Sequence, residues 1–127
     1  MSASPAYAAI PANGLQTVST ANPNRDGSGV LVDAIVGAAN GTRVDDIYIC
    51  ALGTTTAGMI RMFLNDTIVS VLMKEIPVIA NTPSASNPVW QTVLSDLGIV
   101  LEPGWKLRFS THNAESFGVA VTRAGDF

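Results

Sequence analysis

The sequence predicts an all-β domain, a sandwich or a barrel, on two observations. Short runs rich in Ile, Val, Phe and Tyr are separated by turn signals at roughly 8–12-residue spacing. Two runs near the C-terminus also alternate with the two-residue period of a strand. Trp105, Leu107 and Phe109 are set against Lys106, Arg108 and Ser110, and Phe117, Val119 and Val121 against Gly118, Ala120 and Thr122.

Residues 1–28 read as an extended N-terminal arm. Pro5, Pro11 and Pro23, with Asn13-Gly14 and Asp26-Gly27-Ser28-Gly29, favour extended or turning backbone over a packed element. One peripheral strand fits within it, from Leu15 to Thr20. The folded domain is then 29–127. Val30 to Val36 and Arg43 to Leu52 read as strands, with Asn40-Gly41 between them as a hairpin-grade turn signal. Gly53 to Gly58 is a loop. Met59 to Leu64 and Thr67 to Ile79 flank Asn65-Asp66, which reads as a two-residue hairpin connection, and Pro83 to Pro88 is a polar loop. Trp105 to Ser110 follows the Pro103-Gly104 turn, and Phe117 to Arg123 completes the set.

One segment carries a helix-like pattern. Asn87 and Pro88 resemble a helix cap and first position, Gly98 a stop, and Trp90, Val93, Leu94 and Leu97 recur at helical spacing. The all-β surroundings favour a strand from Trp90 to Leu94 instead, and that is what we expect.

The middle of the chain departs from alternation. Met59 to Leu64 is apolar on both faces except for Arg61, and Ile68 to Met73 is broken only by Ser70. A sandwich has one interior, so a second apolar face needs a second cover. A neighbouring subunit or larger partner is expected to supply it; the alternative is the arm folding back within the chain. The candidate contact residues are Met59, Arg61, Phe63 and Met73, with Leu15 and Val18 in the arm. Arg61 must be paired or emerge at an interface, and Glu75 across the hairpin is its candidate partner.

Composition narrows the chemistry. Seven Lys and Arg and ten Asp and Glu make 13% charged residues, against about 25% in an average soluble domain. The 47% apolar content excludes a disordered chain. Seven cations and a net charge of −3 give no electrostatic footprint for nucleic acid. No run approaches the roughly 18 apolar residues of a membrane-spanning helix. One His and one Cys leave little from which to build a metal site or a nucleophile–base pair, so we expect neither enzyme nor cofactor. The N-terminus lacks the charged and apolar regions of a secretory leader, and we expect synthesis in a reducing cytoplasm. Cys50, inside the apolar run Ile47 to Leu52, is expected as a small buried hydrophobe.

The remaining candidates favour plain roles. His112 sits in a polar turn near Ser110, Glu115 and Ser116, but no Gly-x-Ser-x-Gly elbow exists to make a nucleophile of a serine. Asp45-Asp46, with Asp33 upstream, leads into a strand where neighbours point apart, so solvation or a pair with Arg43 is expected rather than calcium binding. Trp90 and Trp105 could stack on a sugar, but Trp105 is in phase with Leu107 and Phe109, which favours core packing.

Gly53-Thr54-Thr55-Thr56-Ala57-Gly58, Arg61-Met62-Phe63-Leu64-Asn65-Asp66, Leu101-Glu102-Pro103-Gly104-Trp105-Lys106-Leu107 and Ala124-Gly125-Asp126-Phe127 together resemble small virion proteins of tailed bacteriophages. The likeness is to the capsid decoration, or cement, type and covers roughly residues 30–127. It implies an antiparallel jelly-roll sandwich of about eight strands that forms homo-oligomers. It also implies a place on the outside of the virion head, bridging subunits of the major capsid protein, with no catalytic residues. A tail or head-fibre component, or a glycan-binding sandwich, is the alternative. An extended arm suits strand addition to a neighbour's sheet edge, and deleting 1–28 is then expected to weaken attachment while leaving the sandwich folded.

Overall fold

The computed structural model describes residues 8–127. Residues 1–7 of the arm, and with them most of the stretch read for a leader, lie outside the described residues.

Among the described residues nine strands form and no helix. They are β1 (Ile10–Val18), β2 (Val32–Val36), β3 (Thr42–Ala51), β4 (Gly58–Asn65), β5 (Ser70–Val78), β6 (Gln91–Leu94), β7 (Ile99–Leu101), β8 (Lys106–Thr111) and β9 (Phe117–Asp126). One sheet, sheet A, runs β1-β9-β3, with β6 and β7 both on the far side of β3; sheet B runs β2-β8-β4-β5. All strand pairings are antiparallel. Apart from the β4–β5 hairpin and the step from β6 to β7, every connection carries the chain from one sheet to the other. This strand order is that of a jelly-roll sandwich.

The core lies between the sheets and follows directly from alternation. Val44, Ile47, Ile49 and Ala51 of β3 and Phe117, Val119 and Val121 of β9 meet Ile60 and Met62 of β4 and Leu107 and Phe109 of β8. Trp105 and Trp90 pack against this cluster, and Trp90 meets the Phe117 ring edge-on, with centroids 5.8 Å apart. Such geometry places the positive ring edge on the negative face.

Several connections differ from the sequence reading. Asn40-Gly41 does turn the chain, with Gly41 at φ 90°, but it carries it from β2 in sheet B to β3 in sheet A. A turn signal reports local dihedrals and not which sheet the next strand joins. The β4–β5 connection spans Asp66 to Val69, not two residues. Asp66 Oδ1 accepts the N–H groups of Ile68 and Val69, and the Asp66 N–H donates to the Val69 carbonyl, with Thr67 at φ 84°.

The helix-like segment is a strand, Gln91–Leu94, as expected. Asp96 and Gly98, at φ 53° and 60°, break it from β7, and the Leu97 N–H donates to the Asp45 carbonyl across the break. The two pieces continue along the same edge of β3, which raises the strand count from eight to nine.

The arm is part of the sandwich. β1 begins at Ile10, pairs along β9 and ends at Val18, which is fully buried in the core. Pro11 and Asn13-Gly14 sit within it because an edge strand tolerates proline and a register shift falls between Ala12 and Gly14. Gly14 is required there: a Cβ would overlap the Ala34 carbonyl oxygen of β2.

Candidate interaction surface

The chemistry-bearing residues do not converge on a reaction centre. His112 is exposed, and its Nδ1 faces the Arg61 guanidinium at 3.3 and 3.4 Å. Ser110 is fully buried, and its hydroxyl has no hydrogen-bond partner among the described residues. Glu115 is engaged elsewhere, accepting from the Thr56 N–H and hydroxyl at 2.9 and 2.7 Å. Arg43 pairs with Asp45 at 3.1 Å, whereas Asp46 pairs with Arg123 at 3.3 Å and accepts the Asp96 N–H. Asp33 is across sheet B, held by Arg108 at 2.7 Å. No group of three or more His, Cys, Asp or Glu that could hold a metal occurs among the described residues.

Arg61 is the centre of a structural network on the outer face of sheet B. Only 1% exposed, it donates through Nε to Glu75 at 2.9 Å and through Nη1 to the Asn22 carbonyl at 3.4 Å. Glu75 also accepts from Arg25 at 2.6 Å. These contacts bind residues 19–31 across the sheet, continued by the Ala21–Thr111 bridge and by the close approach of Gly27 to the Ser70 carbonyl. Within the segment the Asn22 amide donates to the Ser28 and Val30 carbonyls and accepts the Asn24 N–H. The second apolar face of β4 is therefore covered by the chain itself, the alternative considered above. Neighbouring guanidinium groups, first Arg25 and then Arg61, hold the Glu75 carboxyl below the usual carboxylate range.

The six candidate contact residues are dispersed. Arg61, Phe63 and Val18 are buried inside the chain, Met59 is half-buried beside Arg61, and Leu15 and Met73 are exposed. Leu15 leads to a surface the sequence reading did not assemble. Leu15 pairs with Ala120, Ala120 with Tyr48, and Tyr48 with Val93, one row across the outer face of sheet A. The next row is Thr17, Gly118, Cys50 and Gln91. None of these eight residues is charged. Leu15 is 77% exposed and Tyr48 and Val93 are each 46% exposed. Between them Gly118 and Ala120 leave a trough of about 580 Å³. Cys50 is half-buried in it, not in the core, because it shares the parity of Tyr48 and not of Ile47 and Ile49. That parity was the available signal for Tyr48, alongside the shallow face that Gly118 and Ala120 announce.

A second apolar surface lies at one end of the sandwich. Ile68, Val69 and Val71 are exposed there, and Leu64, Val69, Val71 and Trp105 line a hollow of about 290 Å³. The Asp66 carboxylate at its margin is engaged by its own turn, which lowers its pKa through the Val69 and Ile68 N–H groups. No protein-family model matches the chain, and no curated protein matches its sequence.

Proposed function

We propose that this chain is a non-enzymatic structural protein of a virion, a capsid decoration protein on the outside of the major capsid protein lattice. The observation that carries the reading is a pair of largely apolar surfaces on one sandwich that no described residue covers: the two uncharged rows on the outer face of sheet A, and the hollow beside Trp105, where Asp66 is the one charged lining residue. A cementing protein needs two such surfaces, one toward the shell and one toward its neighbour. It gains from apolar area rather than from reactive groups. Repetition over a lattice then multiplies weak contacts through avidity. The likeness of residues 30–127 to small phage virion proteins supplies the particle and the homo-oligomeric habit. The hollow is the surface proposed for the shell, since it lies at a tip of the sandwich and presents Ile68, Val69 and Val71 outward.

The test is co-sedimentation of the purified chain with heads or expanded shells, alongside isolated tails. Binding to shells, with a rise in the temperature at which they rupture, is expected. Val69→Asp or Val71→Asp is expected to abolish it while the sandwich stays folded. Binding to tails and not heads would move the protein to a tail or fibre. Binding to neither removes the reading.

A further inference from the structure

The two broad faces of the sandwich are finished differently. Sheet B carries ion pairs on its outer side (Arg61 and Arg25 with Glu75, Arg108 and Lys106 with Asp33), and residues 19–31 lie across it. Sheet A has no such cover among the described residues. The charges on its outer side gather at one end, where Arg43, Asp45, Asp46, Asp96 and Arg123 pair among themselves.

We propose that the outer face of sheet A is closed by the same face of a second copy of this chain, in a two-fold symmetric dimer. The inference deepens the proposed function by naming the occupant of one of its two surfaces. A two-fold contact needs a surface that complements itself. The row Leu15, Ala120, Tyr48, Val93 has this property: the large side chains stand as ridges on either side of the trough over Gly118 and Ala120. Rotation about an axis that lies between the two faces and runs along the strands, midway between β9 and β3, sets Tyr48 of each copy over the trough of the other and Leu15 against Val93, with Tyr48 as a central aromatic anchor. The absence of charge in both rows removes the like-on-like repulsion that opposes self-pairing of charged patches.

The area sets the strength. Four strands about 4.8 Å apart and some six residues at about 3.3 Å cover roughly 400 Å² per copy. A standard interface buries about 800 Å² per partner, so the dimer is a weak one. It is populated at high chain concentration, the condition a crowded lattice supplies.

The single thiol reports on this face, because Cys50 lies in the trough. The full chain is followed by sedimentation velocity from micromolar to millimolar concentration, with the rate of Cys50 alkylation by iodoacetamide measured in parallel. A monomer–dimer equilibrium is expected, with alkylation slowed severalfold where dimer dominates. Leu15→Glu, at an exposed edge, and Ala120→Glu, in the trough, are each expected to restore the monomer and a concentration-independent alkylation rate. A wild-type chain that stays monomeric throughout, with unchanged alkylation, overturns the proposal, as does a Leu15→Glu chain that dimerises like wild type. Protection of Cys50 only when shells are added also overturns it, since the shell then occupies the face. A chain that dimerises in this way but binds no particle sustains the dimer and removes the virion reading alone.

Discussion

Arg61 shows how one charged side chain is kept inside an apolar sheet. Its guanidinium is matched by Glu75, the Asn22 carbonyl and Nδ1 of His112, so each of its three nitrogens has a polar partner despite burial. Arg61→Ala removes the stem as well as the charge. It is expected to cost about 3 kcal/mol in chemical denaturation, in line with breaking other buried charged contacts. The acid limb belongs to Glu75. Its folded pKa is depressed by Arg25 and then Arg61. The stabilisation is therefore complete above the unfolded value of about 4.3 and is lost as the pH falls through the lowered folded value. Amides of residues 19–31 should lose hydrogen-exchange protection in that acid window, and Glu75→Gln should remove this pH dependence. Ser110 predicts the opposite sign. Its buried hydroxyl has no partner among the described residues, so Ser110→Ala is expected to be neutral or to stabilise by up to about 1 kcal/mol; a clear loss of stability would refute that account. The Arg61–Glu75 pair was legible in the sequence because the two residues face each other across one hairpin. The contacts with Asn22 and His112 were not, because they join residues far apart in the chain.

At the scale of elements, legibility followed periodicity. β8 and β9 were readable to within a few residues because one face of each is core and the other is wet or shallow, so alternation reports burial. β7 was missed: three residues are too few to show a period, and its neighbours Gly98 and Pro103 read as turns. β1 was misplaced because Pro11, Asn13 and Gly14 carry turn signals that an edge strand with a register shift accommodates. Gly14 tests that explanation. Side-chain bulk at this position collides with the Ala34 carbonyl where β1 approaches β2, so Gly14→Ala forces one strand to move. A loss of about 2 kcal/mol or more is expected in thermal or chemical unfolding, as for overpacked sites. Gly98, where an added Cβ meets open space, is the control: Gly98→Ala costs only the strain of its positive φ, about 1 kcal/mol.

Across the whole molecule, the low charge count divides into two causes. Part of it is the β4 region, whose second face is closed by residues 19–31 and needs no partner. The other part is the outer face of sheet A, where eight uncharged residues in two rows lie uncovered by any described residue. Division of the chain into an arm and a separate sandwich follows from composition, which registers proline and glycine but not long-range pairing. The structure joins the two. Without residues 1–28, β9 loses one of its two neighbours along most of its length and Val18 leaves the core. Asn22 and Arg25 also leave Arg61 and Glu75, uncovering a buried guanidinium and the Phe63 side of β4. Each loss alone is a few kcal/mol, and together they reach the whole stability of an ordinary domain, about 5–15 kcal/mol. The fragment 29–127 is therefore expected to lack a cooperative thermal transition and to aggregate through the bared β9 edge. Supplying β1 and the covering segment as a separate 1–31 peptide should restore the transition in proportion to peptide concentration. A fragment that melts cooperatively without the peptide would show that the arm is dispensable to the fold, leaving attachment as its only role.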